Sequence, residues 1–456
     1  MTVPSIIIAG THSGVGKTSI AVGLMVALRR RGLNVVGFKV GPDYIDPGYH
    51  RAATGRNSSP LDSWMLDDNW VKQSYAQNTV EADFAIIEGV MGLHDGADAD
   101  SDAGSTARIA KLLSIPVVLV IDGHALARSA GAMVLGYAKF DPDIKIAGAI
   151  ANRVSSEKHA SYLRPGIENV AGVPFLGFIP QDASFALPER HLGLVGAAES
   201  PETRLTIDRL ADVVEKQLDL DRLCDIAAAG VVGSAMVGGI VPGKPVRRGP
   251  ARVRIAVAQD DAFCFYYPDN LLLLEAAGGE LVPFSPVSDV SIPDRIDGIY
   301  LGGGYPELHV EALSKNSEMR RAVGQFAGEG RPLYAECGGF MYLCEQLVTV
   351  DGDTFDMAGV IPGRCIMEKR LQSIGYRAAV TVRSGPLGPA GTTLRGHEFH
   401  YSRYEGPEVR DDSAFVVNGA EVGYAHANVV ASYLHFHFGS NPSVAQAFVD
   451  RCVNHT

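Results

Sequence analysis

No block of lysine or arginine interrupts the acidic balance of this chain: 40 basic residues against 52 acidic ones leave 456 residues at a formal charge of -12. The polyelectrolyte attraction that drives binding to nucleic acid or an anionic membrane is therefore excluded as a main function. No uninterrupted apolar run reaches the length needed to cross a bilayer, and Met1 to Gly10 lacks the basic, apolar and small-residue layout of a secretory signal. The expected location is the cytoplasm. C-x-x-C pairs are also missing. The six cysteines (Cys224, Cys264, Cys337, Cys344, Cys365 and Cys452) are scattered along the whole length, which fits reduced thiols better than a disulfide framework or a zinc knuckle. There is no internal repeat, and the one biased tract, "HDGADADSDAGS" from His94 to Ser105, reads as a loop. What is present, 46% hydrophobic and 20% charged residues, suffices for a sizeable core and for two or three domains, of which two are expected.

Up to about residue 240, short β-rich runs ("SIIIAG", "VVGFKV", "FAIIEG", "VVLVID", "IKIAGAIAN", "FLGFIP") alternate with amphipathic segments. That rhythm predicts a parallel sheet wrapped by helices. Pro, Gly and unpaired basic residues in "GGIVPGKPVRRGPARVR" break it, placing a linker at 244–251 between domains at 1–243 and 252–456. A second α/β series follows ("RIAVAQ", "LVPFS", "GIYLGG", "PLYAEC"), with more strand in its later part.

Strand, Gly-rich loop and helix occur in "SIIIAGTHSGVGKTSIAVGLMVAL" in the order a phosphate loop requires. Backbone N–H groups of Ser13, Gly14, Val15 and Gly16 would face phosphates, Lys17 would reach the terminal ones, and Thr18 would offer its hydroxyl to magnesium. The strict pattern wants glycine at position 11, where Thr11 stands. The competing reading is a tight strand-to-helix turn with a solvent-facing lysine. Just past the next strand, "FKVGPDYIDPGYH" carries Asp43 and Asp46, and "FAIIEGVMGLHDG" ends a strand on Glu88 with Asp95 in the loop beyond. Ligands collect at the carboxyl ends of parallel strands, so Asp43 and Glu88 are candidates to hold hydrated magnesium, or else plain turn caps. Asn152, in "GAIANRV", would either read the base of a nucleotide or cap a helix starting near Ser156.

In the second half, "PLYAECGGFMYL" stops a strand at Cys337 and opens a helix through Gly338 and Gly339. This is a nucleophile elbow with cysteine in place of serine, where a helix N-terminus and a partnered histidine would lower the thiol pKa. Cys344, without a turn or glycine, reads as core. In "ASYLHFHF", strand alternation sets Leu434, Phe436 and Phe438 on one face and Tyr433, His435 and His437 on the other, making His435 the candidate base. The glycines of "YLGGGYPE", Gly303 and Gly304 above all, together with Gly338, are candidates to donate N–H groups to an oxyanion.

The phosphate loop resembles the dethiobiotin synthetase type, G-T-x-x-x-V-G-K-T, which "GTHSGVGKT" matches residue for residue; partitioning ATPases usually carry a second lysine where this chain has His12. The elbow and histidine resemble the class I, triad-type glutamine amidotransferase domains, with one departure: that class usually reads H-x-E, and here the third residue is His437, so no third member is assigned. "GHEFHYSRYEG" is one residue short of H-E-x-x-H, and Glu398 within it is a weak alternative orienter. Taken together, the motifs occur in the order and spacing of the cobyrinic acid a,c-diamide synthase family over nearly the entire chain. The resemblance implies an ATP-, magnesium- and L-glutamine-dependent ligase that amidates the a and c acetates of a corrin-type macrocycle. Lys17, Thr18, Asp43, Asp46, Glu88 and Asp95 would then serve the synthetase site, Asp46 and Asp95 toward substrate, and Cys337 with His435 the glutaminase. Cobyrinate, hydrogenobyrinate and nickel-sirohydrochlorin remain open as substrates, and a homodimer is compatible with the sequence. A carboxylate kinase or regulatory ATPase with a non-catalytic second domain is the more distant alternative.

Overall fold

The computed structural model describes residues 3–182, 187, 201–233, 251–407 and 412–455. The chain separates into two units, Met1–Pro242 and Gly243–Thr456. Apart from Ala251, the linker expected at 244–251 lies outside the described residues.

Seven strands build the sheet of the first unit: β1 (Ser5–Gly10), β2 (Val35–Val40), β3 (Ser59–Leu61), β4 (Phe84–Glu88), β5 (Val117–Asp122), β6 (Ile146–Val154) and β7 (Phe175–Pro180). Their order is β3-β2-β4-β1-β5-β6-β7, and every pairing is parallel. Strands β1, β2 and β4 are buried along their whole length, which explains why they read as unbroken apolar runs rather than alternating ones. Placing β1 between β4 and β5 sets the loop after Gly10 at the middle of the carboxyl edge. Register does the rest: Glu88 lies level with both Ile8 and Lys39, so a carboxylate and an ammonium leave adjacent strands at the same height. The short strand β3, "SPL", has no counterpart in the sequence reading; Pro60 is tolerated there because the strand is at the sheet edge.

The second unit contains a six-stranded sheet with β8 (Val253–Ala258), β9 (Gly279–Phe284), β10 (Gly298–Leu301) and β11 (Leu333–Glu336). Its order runs Tyr424–His426, Val429–Ser432, β11, β10, β8, β9, parallel except for the first pair. Four- and five-stranded sheets follow from residues 344–436. The run "VVASYLHFHF" is not the single alternating strand expected. It divides at Tyr433 into Val429–Ser432, which pairs with β11, and Leu434–Phe436, which pairs antiparallel with Thr393–His400 in the five-stranded sheet. Residues 434–438 are buried on both sides, so the histidines lie in the interior rather than on a wet face.

Candidate active sites

At the end of β1, residues 11–16 turn into the helix Lys17–Arg30. Gly16 has φ +98°, and a Cβ there would collide with the side-chain nitrogen of Asn152, so both backbone and space require glycine. Asn152 itself lies within β6, which runs on to Val154, not beyond the strand as expected. Its Nδ2 donates to the Val15 carbonyl at 2.8 Å, and Arg153 donates to the Gly14 carbonyl at 2.7 Å and to Asp122 at 2.7 Å. The helix that follows is capped by Ser156, whose hydroxyl accepts from the His159 N–H. Asn152 is thus a buttress of the phosphate loop rather than a helix cap. Beside Arg153 opens a cleft of about 490 Å³, also lined by His124, Ser155, Lys158, His159 and Tyr162.

Lys17 is buried, its ammonium 2.6 Å from the Met91 carbonyl, which removes the solvent-facing alternative. Thr18 Oγ1 donates to Glu88 Oε1 at 2.6 Å, and Lys39 Nζ reaches the same oxygen at 2.8 Å and Asp46 Oδ2 at 2.6 Å. The other Glu88 oxygen faces His50 Nε2 at 2.7 Å, and His50 Nδ1 lies 2.9 Å from Ser58 Oγ. All four ionisable groups are at most 3% exposed. Burial alone would discharge Lys39, but the charges of Asp46, Glu88 and Asp43 outweigh it and hold its pKa above the ordinary lysine value. Burial and the charge of Asp46 push Glu88 up, and Lys39 and His50 more than compensate, keeping it ionised. Asp46 rather than Asp43 therefore gathers with Glu88. Asp43 Oδ1 accepts from the N–H groups of Ile45 and Asp46 in the turn, and Asp95 Oδ2 accepts from Gly92 N–H. Thr18 and Glu88 offer adjacent hard oxygen donors, the chemistry magnesium selects. Sequence reasoning passed over His50, although its place four residues after Asp46 on the helix Asp46–Thr54 puts both on one face.

In the second unit, Cys337 joins β11 to the helix Gly338–Leu343 with φ +45° and ψ -100°, a strained conformation for a non-glycine residue. Its neighbours explain how the turn closes: a Cβ on Gly339 would sit 2.5 Å from the Leu301 carbonyl, and one on Gly338 would sit 3.0 Å from Gly304 N. The triple-glycine loop therefore packs directly against the elbow. Within it, Gly302 N–H is spent on Tyr266 Oη at 2.7 Å, which leaves Gly303, Gly304 and Gly338 as the oxyanion candidates. The Cys337 N–H donates to the Ser432 carbonyl at 2.7 Å, and His435 follows three residues on, its ring against the α-carbon of Gly303.

The surroundings of the thiol oppose the activation expected of it. Burial, followed by the charge of Glu307, pushes its pKa well above the ordinary cysteine value, and the Gly338 N–H offsets only part of this. Ionisation must come by proton transfer to a base. Glu398, the weak alternative orienter, is engaged by other side chains, His400, Ser373 and Arg377; burial would raise its pKa, but these hydrogen bonds and charges hold it at about 2. His437 accepts from Gly439 N–H and faces Asp269 at 3.7 Å. Groups that approach His435 include Glu336, whose Oε2 is 3.7 Å from Nδ1, and His397, whose ring stacks on it at 4.9 Å. The available signal for Glu336 was a carboxylate at the end of an otherwise apolar strand, directly before the nucleophile. Cys344, read as core, is fully buried, with its sulfur 3.5 Å from that of Cys365.

Burial lowers His437 to about 3 and His397 well below its ordinary value, so both are neutral when folded and take up a proton near pH 6.5 when unfolded. Their contribution to stability is complete above that pH and declines as pH falls toward the folded values, at about 1.4 kcal/mol per pH unit for each histidine. Hydrogen exchange of the strand Thr393–His400, corrected for intrinsic rates, should therefore show weaker protection at pH 5.5 than at 7.5, with a smaller difference in His437→Gln. Protection that strengthens on acidification would contradict this.

Residues 6–195 match the model of the CobQ/CobB/MinD/ParA nucleotide binding domain, and residues 254–443 that of the CobB/CobQ-like glutamine amidotransferase domain. Over the full length, the chain is 46% identical to the cobyrinate a,c-diamide synthase of Syntrophotalea carbinolica, covering 99% of each chain. It is 44% identical to that of Listeria monocytogenes over 96% of each, and 42% identical to that of Picrophilus torridus over the whole of both.

Proposed function

Since the chain belongs to the cobyrinate a,c-diamide synthase family, we propose that it amidates the a and c acetate carboxylates of cobyrinate at the expense of ATP and glutamine. The observation that carries this reading is the strained backbone of Cys337, an elbow that a merely structural second domain would not need.

The chemistry requires two sites. Ammonia does not displace oxide from a carboxylate, so the acid is first joined to the γ-phosphoryl group of ATP, and the resulting acyl phosphate then loses phosphate to ammonia. In the first unit, loop N–H groups and Lys17 would hold the phosphates, with the nucleoside in the cleft beside Arg153, whose volume suits it. Magnesium would be held by Thr18 and Glu88, supplying charge neutralisation at the β- and γ-phosphates. Lys39 bridges Glu88 and Asp46 and holds them close together beside the loop, which supports a role for Asp46 toward substrate. In the second unit, His435 takes the Cys337 proton, the thiolate adds to the glutamine amide, ammonia leaves the tetrahedral adduct with the proton held by His435, and water hydrolyses the thioester left behind to glutamate and the free thiol. N–H groups of the glycine loop and of Gly338 are the proposed donors to the tetrahedral oxyanion. Free ammonia is scarce near neutral pH, and its release from glutamine makes up for that. No helix among the described residues is long and apolar enough to cross a membrane; the cytoplasm, where ATP and glutamine are supplied, is the proposed location.

The test is to incubate the purified protein with ATP, glutamine and, separately, cobyrinate, hydrogenobyrinate or nickel-sirohydrochlorin, and to weigh the products. Cobyrinate should show both carboxyl-to-amide conversions. A product on another macrocycle alone would move the substrate assignment, and no product on any of them would overturn it.

A further inference from the structure

The glutaminase site has a nucleophile and a base, but the position where triad amidotransferases usually place a carboxylate is His437, which is turned toward Asp269 and Gly439. Glu336 meets the same need from a different strand. It closes β11 immediately before Cys337 and is fully buried. Its Oε1 accepts from the Tyr334 hydroxyl at 2.5 Å and from the Phe436 N–H at 3.1 Å, while Oε2 is directed to His435 Nδ1 at 3.7 Å. One carboxylate thus binds the main chain next to the base with one oxygen and faces the ring with the other. We propose that Glu336 is the positioning residue of the glutaminase, the carboxylate that fixes the tautomer and orientation of His435 in place of one two residues beyond the histidine.

This inference rests on the reading of Cys337 as the glutaminase nucleophile. With Nδ1–H directed at Glu336, the lone pair of Nε2 is left to accept the thiol proton, and the imidazolium that forms lies beside a buried negative charge. Neither of the rings packed against His435 can take that part. His397 stacks face to face on the ring as a neutral imidazole, and Phe265 presents an edge at 6.5 Å. Glu307 acts on the thiol, raising its pKa. Tyr334 has a supporting task, since its hydroxyl and the Phe436 N–H together hold Oε1 and so set the direction of Oε2.

Glu336→Gln preserves size and can still accept from Tyr334 and Phe436, but it turns an amide N–H toward Nδ1, which favours the wrong tautomer. Glutamine-dependent turnover should fall roughly 10³- to 10⁴-fold, with KM for glutamine changed by less than about threefold. Amidation driven by added ammonium should be unchanged, which also reports that the protein is folded. Glu336→Asp should recover part of the lost rate. Glutamine turnover within tenfold of wild type in the glutamine variant would overturn the proposal. Should that variant fail to fold, the wild-type protein decides the matter: in ¹⁵N-histidine spectra, the resonances missing from His435→Gln should show the Nδ1–H tautomer, and the Nε2–H tautomer would overturn it. Failure of the underlying reading looks different, since Cys337→Ala would then keep its glutamine-dependent rate whatever Glu336 does.

Discussion

Cys337→Ala is expected to abolish glutamine-dependent amidation while the ammonium-dependent rate persists at the wild-type level. Removing a covalent nucleophile costs about 10⁶-fold in turnover where it has been dissected, because no other group can form the acyl intermediate. Structural damage should be small. Alanine carries the same Cβ as cysteine, so the strain at φ +45° is unaltered, and the lost sulfur leaves a void worth about 1 kcal/mol. Glutamate release and product amidation, measured on one preparation with glutamine and then with an ammonium salt, separate the alternatives. A variant that still used glutamine at full rate would remove the elbow from the reaction. A regulatory ATPase would have no need of the cysteine, and a carboxylate kinase with an inert second domain would be indifferent to glutamine from the start.

Lys17→Ala should lose amidation with either nitrogen source, because the acyl phosphate is required before any ammonia can react. The expected reduction is roughly 10²- to 10³-fold, the effect of deleting one well-placed donor to a developing charge in a water-poor site. Lys17 is buried among main-chain carbonyls of the phosphate loop and of the loop after Glu88, so the variant also leaves the Met91 carbonyl without its 2.6 Å partner. Far-UV circular dichroism and the unfolding midpoint should accordingly accompany the rates. A folded variant that retained ammonium-dependent amidation would exclude this lysine from phosphate transfer.

Those contrasts rest on features the sequence displayed unevenly. The parallel sheet was legible because β1, β2 and β4 are buried on both faces and so appear as continuous apolar runs; the phosphate loop was legible because its glycines are forced by backbone geometry. The elbow was visible for the same reason. What did not show was pairing between distant segments. Nothing local to Lys39, His50 and Glu88 reveals that an ammonium and an imidazole converge on one carboxylate; that follows from the order β2-β4-β1 and its register. Nor does "ASYLHFHF" disclose that its two halves join different sheets, which is why His437 appeared on the same wet face as His435. The thiol pKa was expected to fall beside a helix N-terminus and a partnered histidine, whereas burial, followed by the charge of Glu307, outweighs the Gly338 N–H of that short helix. Of the two readings of Asn152, base contact or helix cap, the cap belongs to Ser156 instead, and the bond from the Asn152 amide to the Val15 carbonyl could not be foreseen from the local sequence.

The division of that run at Tyr433 also bears on how the site tolerates change. Ser432 holds the backbone of the nucleophile and His435 supplies the base, so the spacing between them is a ruler made of main chain, pinned at one end to the parallel sheet and at the other to the antiparallel one. Substitutions at the intervening positions leave the ruler's length alone, whereas a single inserted or deleted residue would turn the imidazole to the opposite side of its strand. The site is thereby defined by a count of peptide units more than by the side chains that fill them.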